Sequence, residues 1–254
     1  MALFTDGPPS SIEDLAAQDS QLLNVANVEG IDVTQKLGLA RDELEVELFS
    51  LLNRNSRMYE VLWVPAKPNL NTVVVTPPLK LWHTYRSLEM VYADAYNSQL
   101  NDRYAGKRDQ FHALAKWAHE KLIQNGLGIT GLPVAQAGTP TVVAAAGSLP
   151  DNTYYITMTW VNRNGEQGTS ATPAAFSTTS SALLVEPGTP PANATGWNVF
   201  VGADPGSMTM QNGSPIAAGE NWLQANPPST TGQMPGDGQE PSYLLPVPRV
   251  IQRG

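Results

Sequence analysis

A chain of 254 residues is long enough for one large domain or two of ordinary size, each burying its own core. Its 15 Lys+Arg against 23 Asp+Glu leave a formal charge of −8, which argues against a tight grip on nucleic-acid phosphates. The absence of cysteine excludes a disulfide framework and any thiolate metal site. Charge is also unevenly spread: residues 1–130 carry 12 Lys+Arg and 16 Asp+Glu, residues 131–254 only 3 and 7. A charged half with helical spacing is followed by a nearly uncharged half of short strands, which predicts two modules.

In chain order, Ser11 and Asp14 form a capping-box pattern, with Asp in place of the usual Glu or Gln. The run that follows puts Ile12, Leu15, Leu22 and Val25 near one face of a single helix that Gly30 ends. A second helix begins at Asp32–Thr34, with Val33, Leu37, Ala40, Leu44, Leu48 and Leu51 at spacings of three and four. The short link predicts an antiparallel hairpin of the two. Residues 60–78 hold Pro65, Pro68, Pro77 and Pro78 among apolar residues and read as an extended excursion with β character. A third helix over 79–100 carries Trp82, Tyr85, Leu88, Tyr92 and Tyr96, and a fourth over 105–125 carries Phe111, Leu114, Ala118 and Leu122. That aromatic load exceeds the need of one small bundle and assigns some rings to a neighbouring subunit.

Residues 131–140 read as a linker. Strands are then predicted at TVVAAAG, TYYITMTWV, ALLVE, WNVFVG, and near MTMQNG and SPIAA. In TYYITMTWV, Tyr154, Ile156, Met158 and Trp160 point one way and Tyr155, Thr157, Thr159 and Val161 the other, and Asn164-Gly165 marks a tight turn. Short strands so closely spaced predict a small β-sandwich.

Candidate chemistry is sparse. His112 and His119 lie seven apart beside Glu120 without a third well-spaced ligand, and His-Glu-Lys at 119–121 lacks the second His of a zinc-protease helix. Gly106-Lys107 lacks the upstream glycine of a phosphate loop, and no Gly-x-Ser-x-Gly elbow is present. No catalytic residue, cofactor or metal is therefore assigned. Asn193 and Asn212 head glycosylation-type triplets, and Trp197, Trp222 and Tyr155 offer either a sugar-stacking platform or core packing. No apolar run approaches the roughly 18 residues of a membrane span, and MALFTDGPPSS lacks the pattern of a signal peptide. The expectation is a soluble protein used without secretion.

Two stretches resemble known families. LPDNTYYITMTWVNRNGE (149–166) and ATGWNVFVG (194–202) resemble fibronectin type III or immunoglobulin-like modules of bacterial and phage proteins. The stretches EGIDVTQKLGLARDEL (29–44), LWHTYRSLEMVYADAYN (81–97) and YAGKRDQF (104–111) resemble the head-to-tail adaptor proteins of tailed bacteriophages. The second resemblance implies a helical body in a ring, typically of twelve copies, under the portal, with an extended segment docked on neighbours. Twelve copies would carry a charge of about −96, which favours sliding of DNA over sticking.

The fold class expected is thus α+β multidomain, an N-terminal α-helical bundle followed by a C-terminal immunoglobulin-like β-sandwich. Its domains are a helical body over 1–130, a linker over 131–138, a sandwich over 139–236 and a C-terminal arm over 237–254. The function expected is that of a structural virion protein of the phage neck, assembled in the host cytoplasm, with no enzymatic activity. Its partners are the portal protein, a tail or stopper/terminator protein, and itself, with DNA passing through unbound and no membrane contact. The partner interface falls on Trp63, Val64, Leu70, Val73, Val74 and Val75 of the excursion. In the tail it falls on Tyr243, Leu244, Leu245, Val247, Arg249, Ile251 and Arg253, where a final strand of the sandwich is the other reading. The alternative function is a carbohydrate-binding module with a helical tether.

Overall fold

The computed structural model describes residues 1–54, 67–99 and 102–247. It is α+β: helices come first, then antiparallel sheet. Two compact units divide the chain. The helical unit comprises Gly7–Gly131 and the chain from Pro241 on, and the β unit comprises Met1–Asp6 and Leu132–Glu240. These limits differ from the domains read in the sequence. The linker belongs to the β unit, where Val134 is buried and its N–H donates to Gln239 Oε1 at 2.7 Å. The first six residues belong there too, with Asp6 Oδ1 accepting from the Gln136 N–H at 2.9 Å.

In the helical unit, α1 (Ile12–Gln18) opens with the predicted box: Ser11 Oγ accepts from the Asp14 N–H, and Asp14 Oδ2 from the Ser11 N–H. The single helix expected through residue 29 is in fact broken, and α2 (Leu22–Glu29) starts afresh. Asp19 causes the break. Its extended backbone caps α1, and its buried carboxylate accepts from the Gln21 N–H at 3.0 Å, the Tyr92 hydroxyl at 2.6 Å and Lys107 Nζ at 3.0 Å. Burial alone would push this carboxyl up, but those three donors outweigh it and hold it below the usual carboxylate range. Gly30 then ends α2 in the left-handed conformation, φ +66°.

The hub of the unit is α4 (Pro77–Gln99), against which α1, α2, α3 (Val33–Arg54) and α5 (Ala105–Asn125) all pack. The hairpin expected of the first helices gives way to this shared support. Arg86 of α4 makes a bidentate pair with Glu43 of α3 at 2.6 and 3.0 Å and also reaches Glu89 at 2.8 Å, which raises its pKa. His83, fully buried on α4, contacts Leu37 O through Nε2 at 3.1 Å and Ser10 Oγ through Nδ1 at 2.5 Å. A carbonyl only accepts, so Nε2 carries the proton and Nδ1 accepts from the Ser10 hydroxyl. Burial pushes this imidazole down to about 4, with the Leu37 bond opposing and Arg41 assisting.

The aromatic residues of α4 pack within this unit, with Trp82 and Tyr96 only half-buried. Tyr92 and Tyr85 stack on Phe111 with centroids 5.6 and 6.4 Å apart, and Trp82 meets His119 at 4.5 Å. Arg108 lies 4.6 Å over the Tyr96 ring. Beyond α5, β1 (Leu127–Ile129) pairs antiparallel with β10 (Tyr243–Leu245). Val73 bridges to Ile129 on the other side of β1, and the Val74 N–H donates to Gly128 O at 2.9 Å.

In the β unit, one sheet has the order β2 (Thr141–Ala146), β5 (Ser181–Glu186), β9 (Trp222–Gln224). The other has the order β4 (Ala174–Ser177), β3 (Thr153–Asn162), β6 (Ala194–Gly202), β7 (Thr209–Met210), and β8 (Ile216–Ala217) also pairs with β6. Ile156, Met158, Trp160, Trp197, Val199 and Val201 share one apolar core with Leu183 and Val185 of the first sheet. Trp160 and Trp197 lie directly opposite each other across β3 and β6.

The alternation predicted for β3 holds, but its second face is not solvated. Thr157, Thr159 and Val161 are also buried, because the chain after the turn folds back over them. Thr157 Oγ1 donates to Ala171 O at 2.7 Å, Thr159 Oγ1 to Gln167 Oε1 at 2.9 Å, and Asn162 Nδ2 to Leu132 O at 3.1 Å. The covering is polar and local, so the hydroxyls of the outer face are satisfied rather than stranded.

Candidate functional site

The helical unit leaves one helix face unusually apolar. Helix α3 buries Val33, Leu37, Ala40, Leu44, Leu48 and Leu51, yet Leu39, Val46 and Phe49 form a second stripe at spacings of seven and three. Val46 is 72% exposed and Phe49 60%. Two contiguous clefts lie along this stripe. One of about 380 Å³ is lined by Asp42, Glu45, Val46, Phe49 and Leu70. The next, of about 420 Å³, shares Phe49 and Leu70 and adds Leu52, Asn53, Lys67 and Pro68.

The far wall is built by the short 3-10 turn Leu70–Thr72. Asn69 caps it, accepting from the Asn71 N–H at 2.9 Å, while its own N–H donates to Thr72 Oγ1 at 3.1 Å. This double cap fixes Leu70 beside α3. Lys67 Nζ reaches Asn53 Oδ1 at 3.5 Å at one end of the groove, and Glu45 sits 4.0 Å from Arg41 at the other. The result is an apolar floor between an acidic end and an amide-rich end. Such a surface suits the side chains of a protein segment better than a small polar ligand.

The interface residues read from the sequence divide three ways. Trp63, Val64, Arg249, Ile251 and Arg253 lie outside the described residues. Val73, Val74, Val75 and Leu245 are buried in the helical unit itself. Leu70, Tyr243 and Val247 are half-buried, and Leu244 is 51% exposed. The excursion and the tail, expected to lock onto adjacent components, meet within the chain on either side of β1. Their apolar residues satisfy an intrachain sheet first. Gly126 and Gly128 permit this approach: a Cβ on Gly126 would lie 2.7 Å from Leu245 O, and one on Gly128 2.6 Å from Thr76 Cγ2. A cleft of about 470 Å³ beside this sheet is lined by Thr76, Pro77, Pro78, Asn125, Gly126 and Leu244.

The remaining candidates do not converge. His112 Nδ1 lies 2.9 Å from Glu89, while His119 packs on Trp82. Burial lowers the His119 pKa, with Glu47 and Glu120 opposing. Among the described residues no three His, Asp or Glu side chains are grouped to hold a metal. Trp197 is fully buried with its Nε1–H donating to Glu220 O at 3.1 Å, so it cannot stack a sugar. Trp222 packs against the same core. Asn212 is buried, its amide donating to Asn198 Oδ1 and Ser214 O, whereas Asn193 is exposed at φ +66°. Among the described residues no helix is long and apolar enough to cross a membrane.

The stripe on α3 escaped the sequence reading because the charged residues between its members gave that face a polar look. Its signal was present: once the core series is removed, Leu39, Val46 and Phe49 remain at helical spacing. No protein-family model and no curated protein matches the chain.

Proposed function

We propose that this chain is a structural assembly protein, a ring-forming adaptor that joins the portal of a tailed bacteriophage to its tail. In this reading its partners are the portal protein, a tail or stopper/terminator protein, and further copies of itself, about twelve to a ring. DNA passes through without specific binding, and the protein is made in the host cytoplasm and resides in the virion neck. It is not an enzyme. The β unit is a peripheral immunoglobulin-like sandwich. The chain's alternation between sheets, with β2, β5 and β9 in one and β3, β4, β6 and β7 in the other, supports that assignment.

The observation that carries the proposal is the exposed apolar stripe of α3 with its two adjoining clefts. Contiguous apolar surface of this kind marks an interface with another protein, and its acidic end favours a partner segment with basic flanks. The resemblance of residues 29–44, 81–97 and 104–111 to adaptors supplies the identity of the partner.

The test is incorporation into particles. Phe49→Ala combined with Val46→Lys should leave the helical content unchanged while the protein is lost from sedimented particles. Imaging of the neck should find about twelve copies of the unaltered chain below the portal. Absence of the unaltered chain from purified particles would refute the adaptor role. Full incorporation of the double variant would remove the α3 stripe from it.

A further inference from the structure

We infer that the outer edge of β2 is a two-fold pairing site for a second copy of this chain. Strand β2 ends its sheet. Its inner edge pairs with β5 along its whole length, from Thr141↔Glu186 to Ala146↔Ser181, and among the described residues no strand pairs with its outer edge. An open edge presents a row of backbone donors and acceptors, which proteins ordinarily guard with Lys, Pro, a bulge or a covering loop. Strand β2 reads Thr-Val-Val-Ala-Ala-Ala, with no charge, no proline and no shift of register. Four of its six residues are exposed, while Val142 and Ala145 are half-buried and β4 of the other sheet lies near β2 without pairing to it.

The outward face of the sheet identifies the occupant. Val143 lies opposite Leu184, and Leu184 opposite Leu223, so the three form one aliphatic row across all three strands. Val143 is 39% exposed and Leu223 48%. The acidic side chain nearest this row on the sheet is Glu186, two residues along β5 and opposite Thr141. A partner selected by charge therefore has little to meet on β2, whereas an uncharged, period-two strand is complementary to itself.

Register narrows the geometry. Antiparallel pairing keeps outward residues beside outward residues only when the dyad passes through a residue, because a one-residue slip exchanges the faces. A dyad at Ala144 would set alanine on alanine and interrupt the row. A dyad at Val143 sets Val143 against the partner's Val143, and Val142 against the partner's Ala144. The row then runs unbroken through six aliphatic side chains, and the two three-stranded sheets become one of six strands. The contact is isologous and closes at two copies. It does not rest on the adaptor reading, since neighbours in a ring meet through unlike surfaces; it pairs free molecules or copies of different rings.

These 254 residues contain no cysteine, so a single thiol reports position cleanly. Sedimentation should show a concentration-dependent dimer, and Val143→Cys should give a disulfide-linked dimer on mild oxidation. Ala203→Cys, on an exposed turn of the same unit, should not. Val143→Lys should keep the fold, because the site is on the surface, and weaken the dimer at least tenfold by opposing two charges at the dyad. A chain that stays monomeric up to about 0.1 mM overturns the inference, as that ceiling corresponds to association too weak for a specific pair. A dimer of unchanged affinity in Val143→Lys also overturns it, by assigning the contact to another surface.

Discussion

Lowering the pH from about 7.5 to about 5 should weaken the helical unit through His83, because the unfolded chain takes up a proton there that the native state refuses. The native imidazole is held near 4 against an ordinary value of 6.5. The sign follows from proton counting. Between those two values the unfolded state binds more protons, so stability is complete above 6.5 and falls as the pH drops toward 4. The gap corresponds to about 3 kcal/mol in full, of which about 2 kcal/mol is lost by pH 5. The physical origin is the enclosure of the ring between Ser10 and Leu37, which outweighs the opposing charge of Asp14.

The assay is urea unfolding at both pH values for the natural chain and for His83→Gln. Glutamine can still donate to Leu37 O and does not titrate. The variant should be less stable at neutral pH yet lose about 2 kcal/mol less than the natural chain on acidification. Other carboxylates and His119 titrate in both proteins and cancel in the comparison. Equal losses in the two proteins would refute a neutral, buried His83.

Asp19→Asn should cost about 2–4 kcal/mol, measured by the same unfolding, because Lys107 loses its partner while Tyr92 keeps an acceptor. The contribution of the carboxylate is present above its ordinary pKa of 3.8 and lost as the pH falls through its lowered native value, so the variant should also be less sensitive to strong acid. Gly126→Val should force β10 away from β1, because its Cβ would lie 2.7 Å from Leu245 O and its φ is +94°; this is seen as fast amide exchange at Leu244 and Leu245, with a destabilisation of about 1–3 kcal/mol. Unchanged protection of those amides would mean the sheet tolerates the bulk.

Much of this fold could be read from local pattern, and most of the failures share one cause. The alternation of β3 follows from the pleat, and the Asn164-Gly165 turn from φ at Gly165, +79°. The cover over Thr157 and Thr159 was hidden because it consists of polar residues near 167–171 that carry no periodicity. The break at Asp19 was hidden because its reason, Tyr92 and Lys107, lies more than seventy positions away. Likewise Tyr243–Leu245 announced a strand without announcing that its partner is Leu127–Ile129. The α3 stripe was the reverse case. It is wholly local, but the core series on the same helix carries the longer and more regular periodicity.

The backbone passes between the helical and β units three times, after Asp6, after Gly131 and after Glu240. A single proteolytic nick at any one of these crossings leaves the two units joined covalently. Synthesis is affected as well. The ribosome must make the whole of residues 132–240 before β10 emerges to close on β1, so the helical unit waits for its final strand until the β unit can already have folded. Chains stalled or truncated before residue 243 should carry a β1 with one edge unpaired and apolar Leu127 and Ile129 less covered.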